Sequence, residues 1–116
     1  MNLDTLRDIC LKLPSVTEDI KWEDHLCFNI YDKMFVVTSP ESVPVSASFK
    51  ATSDDFDNLI SREGFKPAQY LAKHKWVWVD DISRLSAKEW QKYTKQSYEL
   101  ITSKLSVKVK KELGII

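Results

Sequence analysis

Glycine is almost missing from this chain. Gly64 and Gly114 are the only two in 116 residues. A phosphate-cradling loop or a dinucleotide fingerprint needs several glycines within a few positions. No GxxxxGK[ST], GxGxxG, HExxH or GxSxG pattern occurs, so nucleotide hydrolysis, dinucleotide redox chemistry and zinc-peptidase or esterase chemistry are set aside. Cysteine is equally scarce: Cys10 and Cys27 lie far apart and in no CxxC pair. Cys10 falls on the apolar side of a helix and Cys27 inside a strand, so both read as buried free thiols rather than a disulfide or a nucleophile. The two histidines, His25 and His74, stand near no cysteine pair. A zinc site needs about four N/S ligands, so no metal and no cofactor is expected. No apolar run approaches the roughly 20 residues that span a bilayer, and the opening MNLDTLRDI carries acids instead of an apolar signal core. The expectation is a cytoplasmic protein with no membrane partner.

What is present is an ordinary globular composition with an uneven charge. The length suits one domain able to bury a core without staples. Seventeen Lys and Arg balance seventeen Asp and Glu, which argues against a generic nucleic-acid coat protein. Residues 1–63 nevertheless hold 6 bases against 12 acids, and residues 64–116 hold 11 against 5. Such asymmetry marks either a surface for an acidic partner or two halves that neutralise each other on packing.

Periodicity orders the elements. Asn2 caps a helix over 3–13, with Leu3, Leu6, Ile9, Cys10 and Leu13 on one stripe, and Pro14 ends it. Residues 15–25 are polar and acidic and read as a loop, with Trp22 plugging it onto the core. Glu18, Asp19, Glu23 and Asp24 near His25 suggest an acid/base or metal site only weakly, because carboxylates are common on surfaces. Leu26 to Tyr31 and Met34 to Thr38 form a hairpin joined at Asp32-Lys33. Val45, Ala47 and Phe49 alternate with Ser46, Ser48 and Lys50 in a third strand. Thr52 or Ser53 caps a second helix carrying Phe56, Leu59 and Ile60, and Gly64 stops it. Ser86 to Glu89 is a capping box opening the longest helix. Trp90, Tyr93, Thr94 and Ser97 face inward there, and Ser97 marks close packing, with no base beside it to make a nucleophile. Residues 106–116 read as a short basic tail helix closed by Gly114, whose end, Ile115-Ile116, docks or frays. The expected fold is α+β: a two-layer sandwich, α-β-β-β-α-β-β-α, with an antiparallel sheet and helices packed on it. Residues 1–105 make one domain and 106–116 the tail.

Gly64 to Asp80, GFKPAQYLAKHKWVWVD, is the most distinctive stretch. It supplies strands four and five, the fourth in Ala68 to Leu71 unless that piece is a turn. Lys73-His74-Lys75 is a basic knuckle, and Trp76-Val77-Trp78-Val79 alternates as a strand, placing the tryptophans on one face and the valines on the other. The knuckle is either a phosphate-contacting wing with aromatic support or a solvated hairpin loop. Lys88, Lys92 and Lys95 on the outer face of the long helix carry the same two readings.

The chain resembles the MmcQ/YjbR family of small bacterial proteins. The matching pieces are Leu13-Pro14-Ser15-Val16-Thr17-Glu18, Lys33-Met34-Phe35, Phe49-Lys50, Pro67-Ala68-Gln69-Tyr70, Lys73-His74-Lys75-Trp76 and Ser97-Tyr98. They run in order along nearly the whole chain. The resemblance implies an α-β3-α-β2-α fold similar to secretion chaperones and CyaY-like proteins. It also implies DNA binding through two wings, here the Asp32-Lys33 hairpin and the Lys73-His74-Lys75 loop. Members often carry glycine before the wing lysine; here Asp32 stands there, and an acid at a wing tip opposes phosphate contact. The expectation is a non-enzymatic binding module with no catalytic residue. Weak, non-specific DNA contact would fall to Lys33, Lys66, Lys73, His74 and Lys75, flanked by Lys88, Lys92 and Lys95. The alternative is a protein-interaction or chaperone-like module, including a homodimer, that uses the sheet.

Overall fold

The structure is a computed structural model describing residues 1–69 and 71–115. Tyr70 of the fourth expected strand and Ile116 of the tail lie outside the described residues. Among the described residues, twelve elements fold as an antiparallel sheet under a layer of helices. The helices are α1 (Leu3–Leu11), α2 (Ser53–Ile60), α3 (Ala87–Thr102) and α4 (Val107–Glu112). The strands are β1 (Val16–Lys21), β2 (His25–Ile30), β3 (Lys33–Ser39), β4 (Ser46–Lys50), β5 (Phe65–Pro67) and β6 (Trp76–Val79). Two 3₁₀ turns, Ala72–His74 and Ile82–Arg84, flank β6. The sheet runs β1-β2-β3-β4-β6-β5, every pairing antiparallel. The expected α+β class and layering are therefore correct.

Several expectations need correction. Residues 15–25 are not a loop: Val16–Lys21 is an edge strand zipped to β2 from Val16–Ile30 to Lys21–His25. The strand between Gly64 and Lys75 is Phe65–Pro67, and Ala68 with Leu71 belongs to the β5–β6 loop. Proline is tolerated in β5 because β5 is the other edge of the sheet. Trp22 does not plug the core. It sits at the β1–β2 turn with positive φ and is 63% exposed.

Cross-strand partners share a sheet face, so the registers sort the side chains. Phe28, Val36, Phe49 and Val77 form one row towards the helices. There Phe49 stacks on Tyr93 and meets Trp90 edge-on, and Phe35 meets Tyr98 edge-on. Trp90, Phe28, Phe35, Phe49 and Leu6 are fully buried. Ser97 stitches α3 to the sheet. Its hydroxyl donates to the Phe35 carbonyl at 2.6 Å and accepts from the Lys50 N–H at 3.0 Å. Both backbone groups lie where ordinary pairing stops: beside Phe35 the β2–β3 register shifts, and Lys50 ends β4. α4 returns to the domain through Leu113 and Ile115, which pack on the core, and the Ser15 hydroxyl donates to the Leu113 carbonyl at 2.6 Å.

No helix is long and apolar enough to cross a membrane among the described residues. Cys10 and Cys27 are buried free thiols, as expected, and burial pushes both thiols up, away from reactivity.

Candidate functional site

Strand direction decides where the candidate residues meet. β2 ends at Ile30 and β3 begins at Lys33; β4 ends at Lys50, β5 ends at Pro67 and β6 begins at Trp76. With every neighbour antiparallel, the β2–β3 turn, the end of β4 and the β5–β6 loop all leave the same end of the sheet. Only β4 separates the two hairpins. Their midlines are thus about three strand spacings apart, roughly 14 Å.

The first turn is Tyr31-Asp32, one residue earlier than expected. Both residues have positive φ, 60° and 109°, the geometry a two-residue hairpin demands. Lys33 is exposed and opens β3. In the second loop Lys73 and His74 are exposed on the 3₁₀ turn. Lys75 is different. It caps that turn in the left-handed region at φ 65° and is half-buried, with its ammonium 5.0 Å from the centre of the Phe56 ring. Lys50, part of a family-like piece but not expected as a site residue, joins this end and donates to the His74 carbonyl at 2.5 Å. Burial, with Lys104 close by, holds the Lys50 ammonium below its usual range. A lysine ending a strand beside a basic loop was the available signal.

The remaining candidates lie elsewhere. Lys66 is on β5, with its ammonium 4.6 Å from the Trp78 ring centre. Lys88, Lys92 and Lys95 are exposed along α3, in the helical layer. Lys92 lies over Tyr93 at 5.0 Å. α3 begins beside the Ile82 turn, where the Trp90 indole donates to the Ile82 carbonyl at 2.8 Å. It reaches the hairpin end only near Ser97. Lys88 is therefore remote from the two hairpin turns.

The acids around His25 do not converge on it. Glu18 pairs with Arg7, with an oxygen 2.6 Å from Nη2. Asp19 accepts from the Asn29 amide at 2.9 Å and from the Lys21 ammonium at 2.9 Å, and these bonds, Asn29 first, hold its carboxyl below the usual range. Asp24 Oδ1 lies 2.7 Å from His25 Nδ1 but off the line of an N–H bond, so that buried nitrogen has a charged neighbour and no hydrogen bond.

The face of the sheet away from the helices carries a groove of about 610 Å³. Trp22 stands at one end, Ala68, Gln69 and Leu71 of the β5–β6 loop at the other, and Met34, Val37, Ser48 and Trp78 form the floor. The tryptophan alternation is as expected: Trp76 and Trp78 take this open face, and Val77 and Val79 the helical face.

Helices on one face of an all-antiparallel sheet, an open opposite face and paired hairpins at one end define a small α+β domain. The chain belongs to the YjbR family, whose model matches residues 11–100. Among solved structures it is similar to the Deinococcus radiodurans protein DR2400, which carries the domain DUF419. That pair has 27% identity and a TM-score of 0.88, over 99% of this chain and 89% of that one. A Pseudomonas syringae protein shares the fold at 22% identity and a TM-score of 0.70, over 86% of this chain and 98% of that one. No curated protein matches the chain. α4 lies beyond the matched stretch.

Proposed function

We propose that the chain is a non-enzymatic binding module that contacts DNA weakly, without sequence preference, through the hairpin end of the sheet. The supporting observation is topological: Lys33 on one turn and Lys73 with His74 on the other leave the same end, with Lys50 between them. A spacing of roughly 14 Å is comparable to the width of a duplex major groove, about 12 Å. Two exposed wings could therefore meet phosphates on both sides of it. Asp32 beside Lys33 and zero net charge keep the affinity low. Titrating salt against a labelled random duplex tests the reading. The log K slope should be near −0.9 per phosphate neutralised. Lys33→Glu with Lys73→Glu should weaken binding strongly with the fold intact, because both side chains are exposed. Lys75 is unsuited to this test, since it is half-buried with its ammonium over the Phe56 ring. No binding at low salt removes the DNA reading.

The second reading is a protein contact, including a homodimer, along the β1 edge. It rests on Ile20, 57% exposed on a strand with a free edge. An exposed edge is a template for pairing with another strand. A concentration-dependent sedimentation coefficient that Ile20→Lys reduces to the monomer value would support it.

A further inference from the structure

We propose that the groove on the open sheet face binds a small, neutral, planar heteroaromatic molecule. This goes beyond phosphate contact at the hairpin end and uses other residues. Its volume of about 610 Å³ is that of a small-molecule site. Among the described residues, no Asp, Glu, Lys or Arg side chain lines it. A charged ligand would lose its hydration there without a counter-charge. The charges stop at the rim: Lys66 sits over Trp78, and Asp24 beside His25. The ring-bearing walls are Trp22, Trp78 and His25, with His25 edge-on to Trp22 at 5.7 Å between centres. Such surfaces favour flat ligands, which stack or meet them edge-on.

The polar groups in the groove are few and available. Ser46 is engaged by Ser42. The side chains of Ser48 and Gln69 make no internal hydrogen bond among the described residues, whereas His25 Nδ1 is buried against Asp24 and His25 serves the groove as a ring wall. An apolar cleft with a small number of uncommitted donors and acceptors is how a site orients a ring bearing heteroatoms. Trp22 is costly to leave in water, yet it has no core role to explain its position. Closing over a bound ring would account for it.

NMR of the full chain tests the proposal, with indole and quinoxaline as probes and sodium phosphate as the charged control. Both probes should saturably shift the Trp22 and Trp78 indole N–H signals and the Met34 methyl. Trp22→Ala removes a wall, and Ser48→Leu fills the floor. Both residues are outside the core, so each variant should keep a folded spectrum while losing affinity by about fivefold or more. Phosphate should leave the groove signals in place. The proposal is overturned if the probes do not saturate, if both variants bind them as the parent does, or if phosphate moves the same signals. It is equally overturned if only an extended apolar peptide occupies the groove. None of these results depends on whether the hairpin end binds DNA.

Discussion

Two tryptophans show how little residue type says about role. Trp76 is 5% exposed although it faces away from the helices; its backbone N–H donates to the Leu71 carbonyl, and its own carbonyl accepts from the Ala68 N–H. Trp22 has no such enclosure. Trp76→Ala should cost on the order of 3–5 kcal/mol in a urea melt, whereas Trp22→Ala should stay within about 0.5 kcal/mol. Equal losses would reverse the two assignments. Asp19 gives a pH test. Its carboxyl titrates below the ordinary value because Asn29 and Lys21 bond the charged form. The stability from these bonds is therefore fully present above the unfolded value, about 3.9. It is lost as pH falls through the depressed folded value. Asn29→Ala should raise the Asp19 carboxyl pKa, read by carboxyl carbon shifts, and an unmoved titration would exclude Asn29 as the main cause. The burial of Trp76 is what a tryptophan in an alternating strand suggests; the exposure of Trp22 was not legible, because nothing in the polar, acidic stretch around it says that the residue ends in an open turn.

At the scale of elements, hydrophobic period and caps made most of the fold readable. The Ser86–Glu89 capping box opens α3 as expected, with both reciprocal bonds formed. β1 was missed because Glu18, Asp19 and Lys21 are poor strand formers and the strand has only one neighbour. Tertiary pairing overrides that propensity. Glu18 turns to Arg7 of α1 on the helical side, and Asp19 and Lys21 join Asn29 on the open side. Ser97 couples two elements in a way no pattern announced. Small size at an inward position predicted close packing, and the structure adds two hydrogen bonds to sheet backbone. Ser97→Ala leaves the Lys50 N–H and the Phe35 carbonyl without their hydroxyl partner. The expected cost is about 1–3 kcal/mol, and amide exchange should quicken first at Lys50. Exchange unchanged at that amide would mean the Ser97 bond contributes nothing there.

For the whole molecule, the division of charge along the chain becomes a division in space. The basic second half does not sit on one side of the sheet. It divides between the β5–β6 loop, the outer face of α3 and the α4 tail. Lys33 and Lys50 of the acidic half complete the hairpin end. That redistribution was illegible in the sequence because it depends on β4 pairing with β6 rather than with the next strand in the chain. It also separates two kinds of electrostatic contribution. A lysine touching phosphate releases counterions, so removing it changes both affinity and the salt slope. A remote lysine acts only through a field screened over a Debye length of about 8 Å at physiological salt. Lys33→Glu with Lys73→Glu should flatten the slope by about 0.9 for each phosphate that is no longer neutralised. Lys88→Glu with Lys92→Glu, two reversals in the helical layer, should weaken binding at low salt while leaving the slope nearly unchanged. If the α3 pair flattens the slope and the hairpin pair does not, DNA lies along the helical layer. The shared direction of the two turns would then be a consequence of strand topology alone.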